Sequence, residues 1–372
     1  MKTNIKGLVC AIVMAMLATS VKAQNLYLTV QSGRYNFDIV QLNTNGQGPG
    51  YQTSSLTTSI FPSSAVFDSA GDLFVATEFS IVELTNDNGT LSTNLTLFSP
   101  TFSYGLAFDQ AGDLFASGTN IIEFVNDGGT LDTNPTVVAT GPLTPWAMVF
   151  DRVGNLYVAY LGSGMMTNGY VAEFATNGTE TILSTNLANP HSLAFDGAGN
   201  LYVALYPGLN FPPGGPAILE IATNGLQSVY FGTPKGAVYP SFAGLAFDNT
   251  GVLYAIEDPT PSPMDEYIVK FKTPGNPTIF SYPFDITNGV GEGKTIGAMA
   301  FEPVPLLRSA VTNGIFQLTV TTPSPYYETI VQSSSDLVNW CNVCTNLAPF
   351  TFTDSLTKTA SFYRAVLDTN SY

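Results

Sequence analysis

Residues 190–204 read Pro-His-Ser-Leu-Ala-Phe-Asp-Gly-Ala-Gly-Asn-Leu-Tyr-Val-Ala. An apolar segment ends on Phe195-Asp196, a glycine stands at 199, and a second apolar segment begins at Leu201. The Asp carboxylate accepts backbone N–H groups of the turn after it, and the Gly supplies the positive φ that closes a tight hairpin. The same reading applies from Phe67-Asp68 to Ala76, Phe108-Asp109 to Ala116, Phe150-Asp151 to Ala159 and Phe247-Asp248 to Ala255. These Asp residues are therefore turn formers and not catalytic acids. Phe67, Phe108, Phe150, Phe195 and Phe247 lie 41, 42, 45 and 52 residues apart. Each copy is followed by a further alternating segment: Ile81–Leu84, Ile121–Phe124, Val171–Phe174, Ile218–Ile221 and Ile268–Phe271. A period of roughly 40–50 residues with several short strands per repeat is the signature of a β-propeller. The runs have period 2 and show no helical stripe, which excludes a helical solenoid.

The two ends supply a further blade. Leu26-Tyr27-Leu28-Thr29-Val30 is a Leu-aromatic strand with no Phe-Asp strand before it. Gly297-Ala298-Met299-Ala300-Phe301-Glu302 is a Phe-Asp-type strand with nothing after it. Joined, they close the ring at six blades and remove the exposed edge of an open array. The predicted fold class is all-β: a six-bladed propeller over 24–303, closed by pairing of N- and C-terminal strands, with a small β-sandwich-like module over 304–372.

The repeat at Pro190–Ala204 resembles that of the six-bladed NHL-type propellers and their gluconolactonase-like relatives, across about residues 25–303. That family places an Asp directly after Val-Ala. Here Val30, Thr77, Gly118, Tyr160, Leu205 and Glu257 stand there. The module, through Asp336-Leu337-Val338-Asn339-Trp340 and Phe362-Tyr363-Arg364, resembles C-terminal modules of secreted proteins from Verrucomicrobia and related bacteria. That resemblance implies sorting or attachment to the cell surface.

Lys2 and Lys6 precede an apolar run, Leu8 to Leu17, too short to span a bilayer. Val21-Lys22-Ala23 places small residues where a signal peptidase cuts, so residues 1–23 read as a signal peptide. No later span is long and apolar enough to cross a membrane as a helix. The expected location is secreted, extracellular or the bacterial cell envelope. The chain of 372 residues carries 12 Lys plus Arg against 28 Asp plus Glu, a net charge of −16. An acidic chain repels phosphates, which argues against nucleic acid as a partner. Cys341 and Cys344 face an oxidising compartment and read as a local disulfide or as two idle thiols. Trp340-Cys341-Asn342-Val343-Cys344 lacks the helix N-terminus that a redox motif uses.

Turns of an antiparallel meander alternate between the two faces of the disc. Four residues before each Phe, one residue per blade reaches the channel mouth: Ser63, Tyr104, Trp146, His191, Ala243 and Gly297. The same face receives the long loops 161–169, 206–216 and 258–266, the last two rich in Pro. Tyr104, Trp146 and His191, with Tyr160 and Tyr206, form the candidate ligand site, an aromatic cluster for a sugar ring or other planar ligand. The bland alternative is that the rings only plug the channel.

The family resemblance carries a rival expectation, a metal-dependent lactonase- or lyase-like enzyme with a channel metal. Oxygen donors suit calcium, and the loop-face acids Glu78, Glu257 and Asp258 are the candidate ligands. His191, with Glu257 and Asp258, is the candidate catalytic group. No gluconolactonase metal motif and no Gly-x-Ser-x-Gly elbow is present. No resident cofactor is expected, calcium being the one candidate. The favoured function is non-enzymatic binding of a glycan, small molecule or protein at the loop-rich face.

Overall fold

The computed structural model describes residues 25–31, 37–42, 62–87, 90–92, 94–162, 168–206, 216–232, 240–259, 266–281, 296–302, 306–312, 315–321, 328–335, 338–347, 350–355 and 362–367. The signal peptide expected at 1–23 and the centres of the three long loops lie outside the described residues.

Six antiparallel sheets form the propeller. Blade 1 runs from Pro62–Phe67 outward through Leu73–Thr77 and Ile81–Leu84 to Thr96–Ser99. Blades 2 to 5 repeat the plan, with innermost strands Gly105–Phe108, Pro145–Phe150, Pro190–Phe195 and Pro240–Phe247. Blade 6 joins the two ends, Ile296–Phe301 pairing with Leu26–Gln31, which pairs with Phe37–Leu42. The closure expected from the sequence is present, with Leu26 opposite Phe301 and Leu28 opposite Met299.

The repeated turn has the predicted mechanism. In blade 4 the Asp196 carboxylate accepts the N–H of Ala198 at 2.8 Å and of Asn200 at 2.9 Å, and Gly199 sits at φ 89°. Asp109, Asp151 and Asp248 accept the same two backbone donors, two and four residues on. The Asn86-Asp87 and Asn126-Asp127 segments each pair with a Thr-Leu two-residue strand, as outer hairpins.

The motif's two aromatic positions hold neighbouring blades together. The aromatic of each Leu-aromatic strand meets the Phe of the next blade edge to face. The pairs are Phe74–Phe108, Phe115–Phe150, Tyr157–Phe195, Tyr202–Phe247, Tyr254–Phe301 and Tyr27–Phe67, with centroids 4.9–5.3 Å apart. Such pairs contribute about 0.5–1.5 kcal/mol each beyond their buried area. Six apolar clusters, each shared by two consecutive blades, complete the interfaces.

The C-terminal module consists of two three-stranded sheets. One holds Leu306–Thr312, Ile315–Thr321 and Phe350–Ser355; the other holds Cys341–Leu347, Glu328–Ser334 and Phe362–Leu367. Phe316, Leu318 and Val320 of the first pack with Val331 and Tyr363 of the second. Tyr363 also donates to Asp354 at 2.5 Å. The module is thus a small sandwich, as expected.

Of the two expected states of Cys341 and Cys344, a local disulfide or two idle thiols, the structure has the second: both are free thiols. They lie on one extended strand, Cys341 opposite Ser333 and Cys344 opposite Val331. Residues three apart on a strand have Cα atoms about 10 Å apart, beyond disulfide reach.

Candidate binding site at the channel mouth

The innermost strands bring Ser63, Tyr104, Trp146, His191, Ala243 and Gly297 together as one ring. On one side of this ring lies the axial channel, a cavity of about 270 Å³ between the innermost strands. On the other lies a basin of about 240 Å³, to which Glu78, Ser103, Tyr206 and Glu266 also contribute.

The backbone is built to let this ring close. A Cβ on Gly105 would stand 2.4 Å from the Trp146 carbonyl oxygen, so only glycine admits the approach of blade 3. The Ser117 hydroxyl donates to that same oxygen at 2.9 Å, fixing the Trp146 backbone. The serines after two ring positions reach across to the next blade: Ser64 accepts from Leu106 N–H at 3.1 Å, and Ser192 from Leu245 N–H at 3.0 Å.

Four of the five expected aromatics form a continuous arc. Tyr104 stacks on Trp146 with centroids 4.1 Å apart; Trp146 meets His191 at 4.8 Å and His191 stacks on Tyr206 at 4.9 Å. Phe102 extends the arc, edge to face with Tyr104 at 4.6 Å. The rings therefore pack on one another along the mouth, and Tyr104, Trp146, His191 and Tyr206 border the basin. Tyr160 is not part of it. It is buried, stacks on Tyr170 at 4.5 Å and lies beneath Gly141, because its side of the strand faces the blade 2–blade 3 core.

The charged groups separate differently from expectation. Glu78 borders the basin. Asp258 accepts a hydrogen bond from the Tyr206 hydroxyl, which anchors the end of the arc. Glu257 instead pairs with Tyr267 across the strands, and its carboxyl is raised by burial. Glu266, which the sequence reading passed over, is 8% exposed and accepts the Ile296 N–H at 2.6 Å. Burial pushes its carboxyl up to about 8, with the neighbouring Asp258 charge adding to the effect. Its position just before the aligned Tyr267-Ile268 strand was the one available signal.

His191 is held between two rings, and desolvation pushes its imidazole down to about 4. It is therefore neutral at pH 7, one nitrogen a donor and the other an acceptor. A group this weakly basic is a poor general base at neutral pH. Among the described residues no three His, Cys, Asp or Glu side chains come together as a metal-binding group. Glu78, Glu257 and Asp258 do not converge, so this carboxylate set does not fit a resident calcium, which wants six to eight oxygens.

No protein-family model matches the sequence, and no curated protein matches it. Solved structures do match in shape. A protein of unknown function from Bacteroides caccae superposes with a TM-score of 0.51 at 13% identity, over 75% of this chain and 99% of that one. A gluconolactonase from Xanthomonas campestris matches with a TM-score of 0.46 at 14% identity, over 79% of this chain and 91% of that one. Regucalcin from Agrobacterium tumefaciens, described as a calcium-binding protein, matches with a TM-score of 0.46 at 14% identity, over 72% and 83% of the two chains. By its own strand order, the chain is a six-bladed β-propeller followed by a small β-sandwich.

Proposed function

We propose that this chain is an exported protein, secreted or held at the bacterial cell surface through its C-terminal module, that binds a neutral polar ligand at the propeller mouth. A glycan fits the chemistry best. The observation that supports this reading is the ring-lined basin itself. Trp146, His191, Tyr104 and Tyr206, with Glu78 and Glu266, surround one concave space. Carboxyl groups and neutral imidazole accept or donate hydrogen bonds with sugar hydroxyls, and ring surface excludes water around them. The basin has no Lys or Arg among its described lining, so it offers nothing to an anionic ligand.

The metal-dependent lactonase or lyase reading needs a ligand set that these carboxylates do not form. Binding is the better-supported reading for that reason. The test is a neutral-glycan array probed with the mature chain, followed by calorimetric titration of each hit. Wild-type protein is expected to bind, and Trp146→Ala to weaken binding at least tenfold while melting cooperatively. Turnover of a sugar lactone, abolished by chelation in folded protein, would overturn the reading in favour of the enzyme.

A further inference from the structure

A second concavity adjoins the basin. It is a groove of about 370 Å³ on the loop face between blades 2 and 3, and it shares Tyr104 with the basin. Phe102 forms its inner wall and is 38% exposed. Thr119 and Thr144 expose hydroxyl-bearing side chains along it. Its described lining contains no charged residue.

Three glycines line the groove, and each is there for close packing. A Cβ on Gly118 would stand 2.8 Å from the Phe102 carbonyl oxygen, one on Gly162 would stand 2.6 Å from Asn168 Oδ1, and one on Gly141 would stand 3.1 Å from the Tyr160 ring. Gly141 leaves bare backbone exposed beside the Thr119 and Thr144 hydroxyls and the Phe102 and Tyr104 rings. Tyr160, absent from the mouth, supports this groove from below.

The planes of Phe102 and Tyr104 are 80° apart. One planar group cannot lie flat against both. A chain passing from the basin to the groove therefore turns at Tyr104, which borders both, and meets the Phe102 ring in the groove.

We propose that the ligand is an extended neutral oligosaccharide of at least two units, with one unit in the mouth basin and the next in the groove along Phe102. This rests on the reading of the mouth as a glycan site and names the ligand's length and path. A saccharide suits the groove better than a peptide does. Two hydroxyls beside the Phe102 and Tyr104 rings and the aliphatic surface of Leu143 and Leu161 match a chain of rings with polar edges and apolar faces, whereas a peptide would want a strand edge to pair with.

The experiment is calorimetric titration of the mature chain with four neutral ladders of one to six units: β-1,4-glucan, β-1,3-glucan, mannan and xylan oligomers. One ladder is expected to gain about tenfold in affinity from one unit to three, the effect of one added stacked and hydrogen-bonded unit. Thr144→Trp, which fills the groove, is expected to flatten that gain to under about twofold by the same reckoning. Val153→Trp, on the opposite face, is expected to leave the ladder intact, with thermal melts reporting that each variant folds. A single unit binding as tightly as six would overturn the extended ligand and leave the mouth reading standing. A length gain that survives Thr144→Trp would overturn the groove as its path. Failure of every ladder, with extended peptides selected by display bound instead, would overturn the saccharide class and the mouth reading together.

Discussion

Asn155 donates its side-chain amide to the Asp151 carboxylate at 2.8 Å, and in blade 1 the equivalent position holds Asp72, which sets a second carboxylate beside Asp68. Asn200 makes the same bond to Asp196 in blade 4. Asp113 stands beside Asp109 in blade 2 as Asp72 does in blade 1. The propeller thus carries two turns whose carboxyls repel and two whose carboxyls are satisfied. In blade 1, burial first and the Asp72 charge second push the Asp68 carboxyl up to about 7.

Asp72→Asn should therefore stabilise the fold at neutral pH. The new amide can donate to Asp68 as Asn155 does to Asp151, and its oxygen can still accept the Asn86 N–H that Asp72 accepts at 2.5 Å. Removing a repulsion and adding one bond to a charged acceptor is worth about 1–2 kcal/mol. The sign follows from the raised carboxyl. The folded state holds the Asp68 proton more tightly than the unfolded chain, so wild-type stability falls as pH rises from the ordinary carboxylate range to about 7. Urea denaturation at pH 5 and pH 7.5 should show a larger gain for the variant at the higher pH. An equal or negative change at pH 7.5 would sink the argument.

The fold was legible because its governing residues recur. Phe, Asp, Gly and the Leu-aromatic strand each perform one task six or five times over, and blade 6 could be assembled from two incomplete copies. The mouth ring was legible for the same reason, since counting back from each Phe finds one residue per blade. Departures came where repetition stops. Glu266 lies in no motif, and its burial depends on the Ile296 strand, thirty residues away. Tyr160 lies on the same side of its strand as Leu156 and Val158, so the strand's alternation turns it into the blade 2–blade 3 core, and Thr77 and Leu205 at the same motif position are buried as well. Disulfide and idle thiols both stayed open for Cys341 and Cys344, because spacing alone does not reveal that the two sit on one extended strand.

Gly297 closes the ring against blade 1, and its replacement by Ala should be severe. The added Cβ would stand 1.8 Å from the Pro62 carbonyl oxygen, a backbone atom that cannot swing away. Overpacking of this kind costs about 3 kcal/mol, at the upper end of its usual range. Thermal melting should show a loss of at least several degrees. Gly178→Ala, in an open outer turn, should cost much less, because only its positive φ resists the change. Comparable losses in both variants would mean that the inner strands of blades 6 and 1 sit further apart than described.

His191 should titrate well below an ordinary histidine. With the chain's single His, the imidazole proton signals in an NMR pH series need no assignment. The expected midpoint is about 4, set by burial between Trp146 and Tyr206. Ligand affinity should accordingly be unaffected by this group between pH 5.5 and 8. A midpoint near the ordinary value of about 6.5 would show that the imidazole is solvated and the aromatic arc open.

Glu266→Gln should change how stability depends on pH more than how large it is at low pH. The glutamine oxygen can accept the Ile296 N–H that Glu266 now accepts at 2.6 Å, so the local bond survives. The carboxyl in the folded chain is raised to about 8, by burial and then by Asp258, above its value in the unfolded chain. Between those two values the folded state holds a proton that the unfolded state has lost, so stability declines as pH rises through that window and is level above it. A single group sets a slope of at most about 1.4 kcal/mol per pH unit. Denaturation of wild type and variant at pH 5, 7 and 9 isolates the term, since Asp68 contributes equally to both. The variant should gain on the wild type progressively from pH 5 to pH 9. Parallel curves would mean that Glu266 is ionised and solvated in the folded protein, and the basin would then be a charged site, better suited to a cationic ligand than to a neutral glycan.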